Sequence, residues 1–241
     1  MDVDAVAGAI RMLVGRTEVA STRAMIAASD SLATFRVLSL ARTARDSDVE
    51  AAIARELPLD PSRLSIRWFD VPQDGPDRRV YAVAWDRALV RNLTNAVRGA
   101  GLDPGVVDLK SACIARVAPE SSCVIVDLSS DTGQLFLIDG HVPCVWSSFR
   151  ADGNMADPAG ALLGPLKSVL RYYTRRRDTT FNRGSPILIS SEQPIPGAAV
   201  ARLEQVLQHP VTHLPAPRRV PNDIRHATFL TCLGLIMRRS E

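Results

Sequence analysis

Residues 122–149, SCVIVDLSSDTGQLFLIDGHVPCVWSSF, read in order as a buried strand, a short polar loop and a hairpin. Residues 123–128 are an apolar run that holds Asp127, Ser129-Ser130-Asp131-Thr132-Gly133 is the loop, and Leu135 to Ile138 is a second apolar run. Runs this short, bounded by turn residues and rich in Val, Ile and Leu, favour strands. Asp139-Gly140 then signals a tight turn between antiparallel strands.

Helix and strand patterns alternate on both sides of this block. Upstream, Val3, Val6, Ala7, Ile10, Leu13 and Val14 recur at helical spacing, and strand-like runs follow at 22–28 and 35–40. Ser47-x-x-Glu50 forms a capping box for a helix that Pro58 stops. Leu64, Ile66 and Trp68 alternate with Ser65 and Arg67 as in a half-buried strand, PQDGPD is a turn, and 80–85 returns as a second strand. Asp86 caps a helix whose Leu89, Val90, Leu93, Ala96 and Val97 share a face, with Gly101 at its stop. Residues 29–101 therefore read as a compact α+β module.

Downstream, Leu162, Leu166, Val169, Leu170 and Tyr173 mark a helix ending in Arg175-Arg176-Arg177. Residues 186–190 are a buried strand, 198–207 a helix, and 222–239 a final helix with Leu230, Leu233 and Leu235 inward. No internal repeat occurs, and the loop-like stretches are 150–158 and 215–221.

With 241 residues and 46% apolar content the chain can bury the core of one large or two small domains. Its longest apolar stretch, 229–237, falls far short of the ~20 residues that cross a bilayer. Asp2 and Asp4 depart from the basic-then-apolar profile of a secretory signal, so a soluble cytoplasmic protein is expected. Cys113, Cys123, Cys144 and Cys232 form no C-x-x-C pair and read as buried thiols in a reducing compartment. The net charge of +3 is carried almost wholly by arginine, which points to a GC-rich genome rather than a nucleic-acid partner. His141, His209, His213 and His226 lack metal-ligand spacing, with Pro210 between the middle two, and neither G-x-S-x-G nor a P-loop occurs.

The strand, the Asp127 loop and the hairpin together resemble the second phosphate-binding hairpin of the actin-like ATPase superfamily. The order of elements along the chain resembles the PilM family of type IV pilus assembly proteins and, more distantly, FtsA. VEAAIARELP, VRNLTNAVRGAGLDPGVVDL, LKSVLRYY and ATFLTCLGLIMRR carry that resemblance. It implies an α/β, actin-like (ribonuclease H-like) fold, incomplete, with an α+β subdomain of the FtsA/PilM 1C type. Residues 1–28 and 102–120 would be a remnant of subdomain 1A, 29–101 the 1C-like module, and 121–241 subdomain 2A with a reduced 2B and a C-terminal helix.

In that superfamily the loop reads roughly Asp-x-Gly-x-x-x-Thr. Glycine lets backbone N–H groups approach a phosphate, and aspartate holds the metal and its waters. The resemblance makes Asp127, Ser129, Ser130, Thr132 and Gly133 a degenerate phosphate loop, and Ser190 and Ser191 a degenerate adenosine turn. Ser129 stands where glycine would, and the sequence begins after the family's first strand with its Asp-Ile-Gly-Ser-Ser loop. RADGNMADPAGA replaces a longer segment that helps hold nucleotide, and Leu188-Ile189-Ser190-Ser191-Glu192 lacks the adenosine-turn glycines. A phosphate site needs donors placed in advance from both lobes. The expectation is a pseudo-ATPase without a cofactor, binding ATP and magnesium only if the site functions. Asp127 also has the ordinary reading of a strand-end aspartate that caps the next turn.

PilM-like proteins bind the short cytoplasmic tail of the membrane protein PilN, and so couple the pilus motor to the inner-membrane platform. The resemblance thus implies a cytoplasmic scaffold at the inner face of the membrane, reached through a PilN-like partner and possible further platform or motor proteins. Trp68, Phe69 and Trp85 are candidate anchors for that partner, with core packing as the competing role. Arg171 and Arg175 to Arg177 could face anionic lipid or an acidic segment, or simply complement a helix terminus. Two alternatives stand beside this reading: a working actin-like ATPase with an unusual or truncated nucleotide site, and the cytoplasmic L component of a type II secretion system.

Overall fold

The computed structural model describes residues 2–17, 20–57, 60, 62–72, 75–128, 132–150, 157–173, 181–217, 220–221 and 226–238. The chain divides into two compact units, residues 1–110 and 111–241, so the 102–120 segment is shared between them.

The first unit opens with α1 (Val3–Val14), whose Asp2 cap accepts the N–H groups of Asp4 and Ala5 at 3.1 and 3.0 Å. There follow β1 (Arg23–Ala28), a 3₁₀ turn at Asp30–Leu32, β2 (Ala33–Ala41), α2 (Asp46–Glu56), β3 (Leu64–Val71), β4 (Asp77–Asp86), α3 (Arg87–Gly99) and β5 (Asp103–Leu109). α1 lies on α3, with Gly99 close enough to Ala7 that a methyl there would crowd it, and Arg11 donates to the Gly99 carbonyl at 2.8 Å. β1 and β5 form a two-stranded parallel sheet in which Gly105 is the extra residue of a bulge. β2, β4 and β3 form an antiparallel sheet in that order. α2 covers one of its faces through Leu38, Val49, Ile53, Val80 and Ala82.

α3 starts as the sequence predicts, with the Asp86 carboxylate accepting from Ala88 and Leu89, and Gly101 takes φ +85° just past its end. α2 does not start as predicted. It begins at Asp46, and Asp48, not Glu50, reaches back to the Arg45 N–H at 2.8 Å, so the Ser47 capping box is not the one used.

The second unit contains most of α4 (Lys110–Val117), then β6 (Ser122–Asp127), β7 (Thr132–Asp139), β8 (Val142–Arg150), α5 (Pro158–Tyr173), β9 (Ile187–Ser190), α6 (Gly197–Leu207), β10 (Val211–His213) and α7 (Leu230–Ile236). Its strands form one sheet in the order β10-β9-β6-β7-β8, parallel across the first three and antiparallel beyond. Alternate side chains sort to opposite faces. Val124, Val126, Leu135 and Leu137 meet Leu162, Leu166 and the rest of the α5 and α6 layer. Cys123, Ile125, Phe136 and Ile138 meet Ile114 of α4 and Leu230 and Leu233 of α7. Both faces of β6 are therefore dry, which is why its sequence is a continuous apolar run rather than an alternation.

Three further expectations change here. The hairpin turn is Gly140-His141, both at positive φ (66° and 63°), while Asp139 ends β7 as a buried residue. The last helix spans Leu230–Ile236 rather than 222–239, with His226 to Phe229 in a turn and residues 222–225 and 239 outside the described set. Cys113 and Cys123 are buried and Cys144 half-buried, but Cys232 is exposed on the outer side of α7, because α7 is a surface layer with only one covered face.

Candidate functional site

Asp127 is the last residue of β6 and is buried. In register it lies between Gln134 of β7 and Ser190 of β9. The Leu128 N–H donates to the Ser190 carbonyl at 2.8 Å, so the ends of two parallel strands are held together. Residues opposite one another share a face. Asp127, Gln134 and Ser190 thus form one polar rung on the face that carries Ile125, Phe136 and Leu188. Ser190 Oγ and Gln134 Oε1 are buried and have no hydrogen-bond partner among the described residues.

The fold thereby joins two predicted site residues, Asp127 and Ser190, from separate segments. It adds Gln134, which sequence reasoning passed over, although a lone amide beside the apolar LFLI run was a usable signal. Ser129 and Ser130 lie outside the described residues, as do Asp131 and Arg175 to Arg177. Thr132 is exposed at the start of β7.

Gly133 stands opposite Phe149 of β8, and the ring of Phe149 fills the space a Cβ would need. Its lack of a side chain is required by packing between neighbouring strands. After β9, Ser191 Oγ donates to the Gln193 carbonyl at 2.6 Å and Thr228 Oγ1 donates to Glu192 Oε1 at 2.9 Å. A phosphate cradle consists of accessible N–H groups beside small residues. At Gly133 the approach is occupied by an aromatic ring, and the turn after β9 carries serine and glutamate side chains tied to their surroundings.

A second polar cluster sits at the opposite end of β6. The fully buried carboxylate of Asp139 accepts from Ser122 Oγ at 2.9 Å and from the Tyr173 hydroxyl at 2.8 Å, which ties the hairpin to the end of α5. Burial, reinforced by Cys144 and Asp139, pushes the Tyr173 hydroxyl well above its ordinary range. Burial likewise pushes the Cys123 thiol up to about 12, so it is an inert packing group.

In the first unit the three aromatic candidates separate by face. Trp68 packs against the core under α2, with the Arg78 guanidinium 5.4 Å from its ring centroid. Phe69 and Trp85 point to the opposite face, by strand alternation and register. Phe69 is 50% exposed, its ring 5.2 Å from that of Tyr81, while Trp85 is half-buried. Arg78 also pairs with Asp70 at 2.7 Å and Asp46 at 3.0 Å, and its hydrogen bond holds the Asp70 carboxyl below the usual aspartate range. A depression of about 250 Å³ beside this pair is lined by Arg42, Asp70, Val71, Asp77 and Arg78.

A mixed five-stranded sheet between two helical layers, with a polar rung at the carboxyl end of its central strand and a separate α+β module before it, defines a mixed α/β architecture. The fold is PilM-like. The chain is similar to a chain of the solved PilM–PilN type IV pilus biogenesis complex, at 18% identity and a TM-score of 0.64, over 97% of this chain and 84% of that one. It is also similar to the cytoplasmic domain of EpsL, an inner-membrane component of the type II secretion system of Vibrio cholerae, at 9% identity and a TM-score of 0.54, over 97% of this chain and 82% of that one. At such identities the likeness is one of fold. No protein-family model and no curated protein matches the sequence. Among the described residues no helix is long and apolar enough to cross a membrane.

Proposed function

We propose that this chain is a cytoplasmic scaffold of a type IV pilus inner-membrane assembly platform, that it binds the cytoplasmic tail of a PilN-like membrane protein, and that nucleotide binding has been lost. The observation that carries the reading is the combination of a PilM-like fold over 97% of the chain with a phosphate hairpin whose Gly133 lies beneath the Phe149 ring. The side-chain ties of Ser191 and Glu192 after β9 support the same loss. Peptide capture needs an exposed edge and a few side-chain contacts, not a charged transition-state cradle.

Calorimetry tests both halves. The purified chain is expected to bind a synthetic PilN-like tail and to show no heat with ATP and magnesium at millimolar concentration. Micromolar nucleotide binding would overturn the loss and make Asp127 a ligand-binding group. The likeness to EpsL favours a second reading, a cytoplasmic L component of a type II secretion system, and the identity of the tail that binds separates the two.

A further inference from the structure

α1 has two unlike sides. Ala7 is buried where the helix meets α3, and Val3, Ile10 and Val14 beside it are half-buried. On the outer side Asp2, Ala5, Ala9, Met12 and Arg16 are all exposed, and they stand three, four, three and four residues apart, with Leu13 next to Met12. That spacing is the a/d repeat of a coiled-coil seam, so these side chains share one stripe. Met12 is 58% and Leu13 64% exposed, which leaves the apolar middle of the stripe uncovered.

The two ends of the stripe carry opposite charge. Asp2 caps the helix through Oδ1 alone. The Arg16 guanidinium makes no hydrogen bond or ion pair with any described residue. Acid at one end, base at the other and apolar residues between them make the stripe complementary to its own antiparallel image. About a two-fold axis at Ala9, Ala5 meets Leu13 of the second copy and Asp2 meets its Arg16, and both contacts occur twice. A parallel pair would instead set Asp2 against Asp2 and Arg16 against Arg16, which charge disfavours. The small Ala5 and Ala9 let two helices approach to about 8 Å and leave holes for Met12 and Leu13. An anionic lipid surface would suit the apolar middle but not Asp2.

We propose that the outer face of α1 is an interface between two copies of this chain, packed as antiparallel helices with Ala9 on the two-fold axis. This assignment goes beyond the scaffold reading above and stands whichever tail the chain binds. With 12 residues α1 is about 18 Å long. A seam this short buries less than the roughly 1,600 Å² of a standard interface, so the dimer is reversible and depends on concentration.

Analytical ultracentrifugation of the full chain from about 1 μM to about 1 mM, the range open to a weak dimer, tests the assignment. The unaltered chain is expected to pass from monomer to dimer within it. Because Ala9 meets its own copy, Ala9→Glu and Ala9→Lys each bring like charges together and weaken the dimer about tenfold or more. An equimolar mixture of these two variants restores it, which also shows that both are folded. Arg16→Asp weakens it about threefold or more, and Arg91→Asp, a charge reversal on the exposed side of α3, leaves it unchanged. A monomer throughout the range overturns the proposal, as does a dimer that Ala9→Glu leaves intact. A mixture of Ala9→Glu and Ala9→Lys that stays monomeric overturns it too, since the axis then does not pass through Ala9. A monomeric chain that sediments with phosphatidylglycerol vesicles, and no longer does so as Leu13→Ser, gives the stripe to a membrane and likewise overturns it.

Discussion

The hairpins β6–β7 and β3–β4 share a connectivity and differ in everything around it. β6 has a strand on each side and a helical layer on each face, and its Val124, Ile125 and Val126 are wholly buried. Among the described residues β3 has a neighbour on one side only, and its Arg67, Phe69 and Asp70 are exposed. Burial of both faces and both edges leaves a strand nothing to recognise with, whereas one open edge and one open face leave main-chain and side-chain groups available. The second unit is in this sense the more enclosed of the two strand environments, and the β2–β4–β3 module the more open.

The contrast can be broken by truncation. Leu162→Ala beneath β7 is expected to cost about 2–5 kcal/mol, because it opens a cavity in a close-packed layer. Phe69→Ala at the open face should cost well under half of that. Equal shifts of the urea midpoint for the two variants would show that β3 is as enclosed as β6.

Gly234→Ala probes the helical layer of the second unit. A methyl there would overlap the Cys113 main chain, where α7 crosses α4, and the backbone cannot swing aside as a side chain could. A loss of about 1–3 kcal/mol or more is expected, again read by urea unfolding. An unchanged midpoint would mean that α7 is loosely held.

Tyr173→Phe removes a hydroxyl that donates to the buried Asp139 carboxylate, as Ser122 Oγ also does. The expected cost is about 1–3 kcal/mol, and Ser122→Ala should act in the same direction. Additive effects of the two changes, in place of a coupled cycle, would argue that the Asp139 knot does not act as a unit.

The smallest effect belongs to the open module. Arg78 holds the Asp70 carboxyl below its ordinary range. The stabilisation from this pair is therefore fully present above the unfolded aspartate pKa of about 3.9 and is lost as pH falls through the lower folded value. Asp70 is largely exposed, so solvent and salt screen the pair. Asp70→Asn should flatten the acid limb of a plot of Tm against pH slightly, most visibly at low ionic strength.

Much of this was legible in the sequence, for reasons the residues make plain. β6 and β7 announce themselves because a strand buried on both faces must be uniformly apolar. Asp86 and Gly101 bracket α3 because helix ends have specific backbone needs. β5 escaped notice because Pro104 and Gly105 break its pattern, and β10 because three residues after a proline carry no period. At the candidate site Asp127 was visible as the polar end of an apolar strand. The role of Gly133 was not, since it depends on Phe149 lying across from it in another strand. Trp68 and Phe69 had to face opposite ways, yet which of them is covered was decided by where α2 lies.

The position of β9 in the sheet also has a consequence for synthesis. β6 leaves the ribosome with its antiparallel partner β7 close behind, but its parallel neighbour begins at Ile187, about 60 residues later. At typical elongation speeds of ~5–20 residues per second, one flank of Cys123-Val124-Ile125-Val126 waits roughly 3–13 s for its partner. During that interval this apolar strand has a bare, aggregation-prone edge. A nascent chain stalled before Ile187 should accordingly be the form that chaperones hold most firmly.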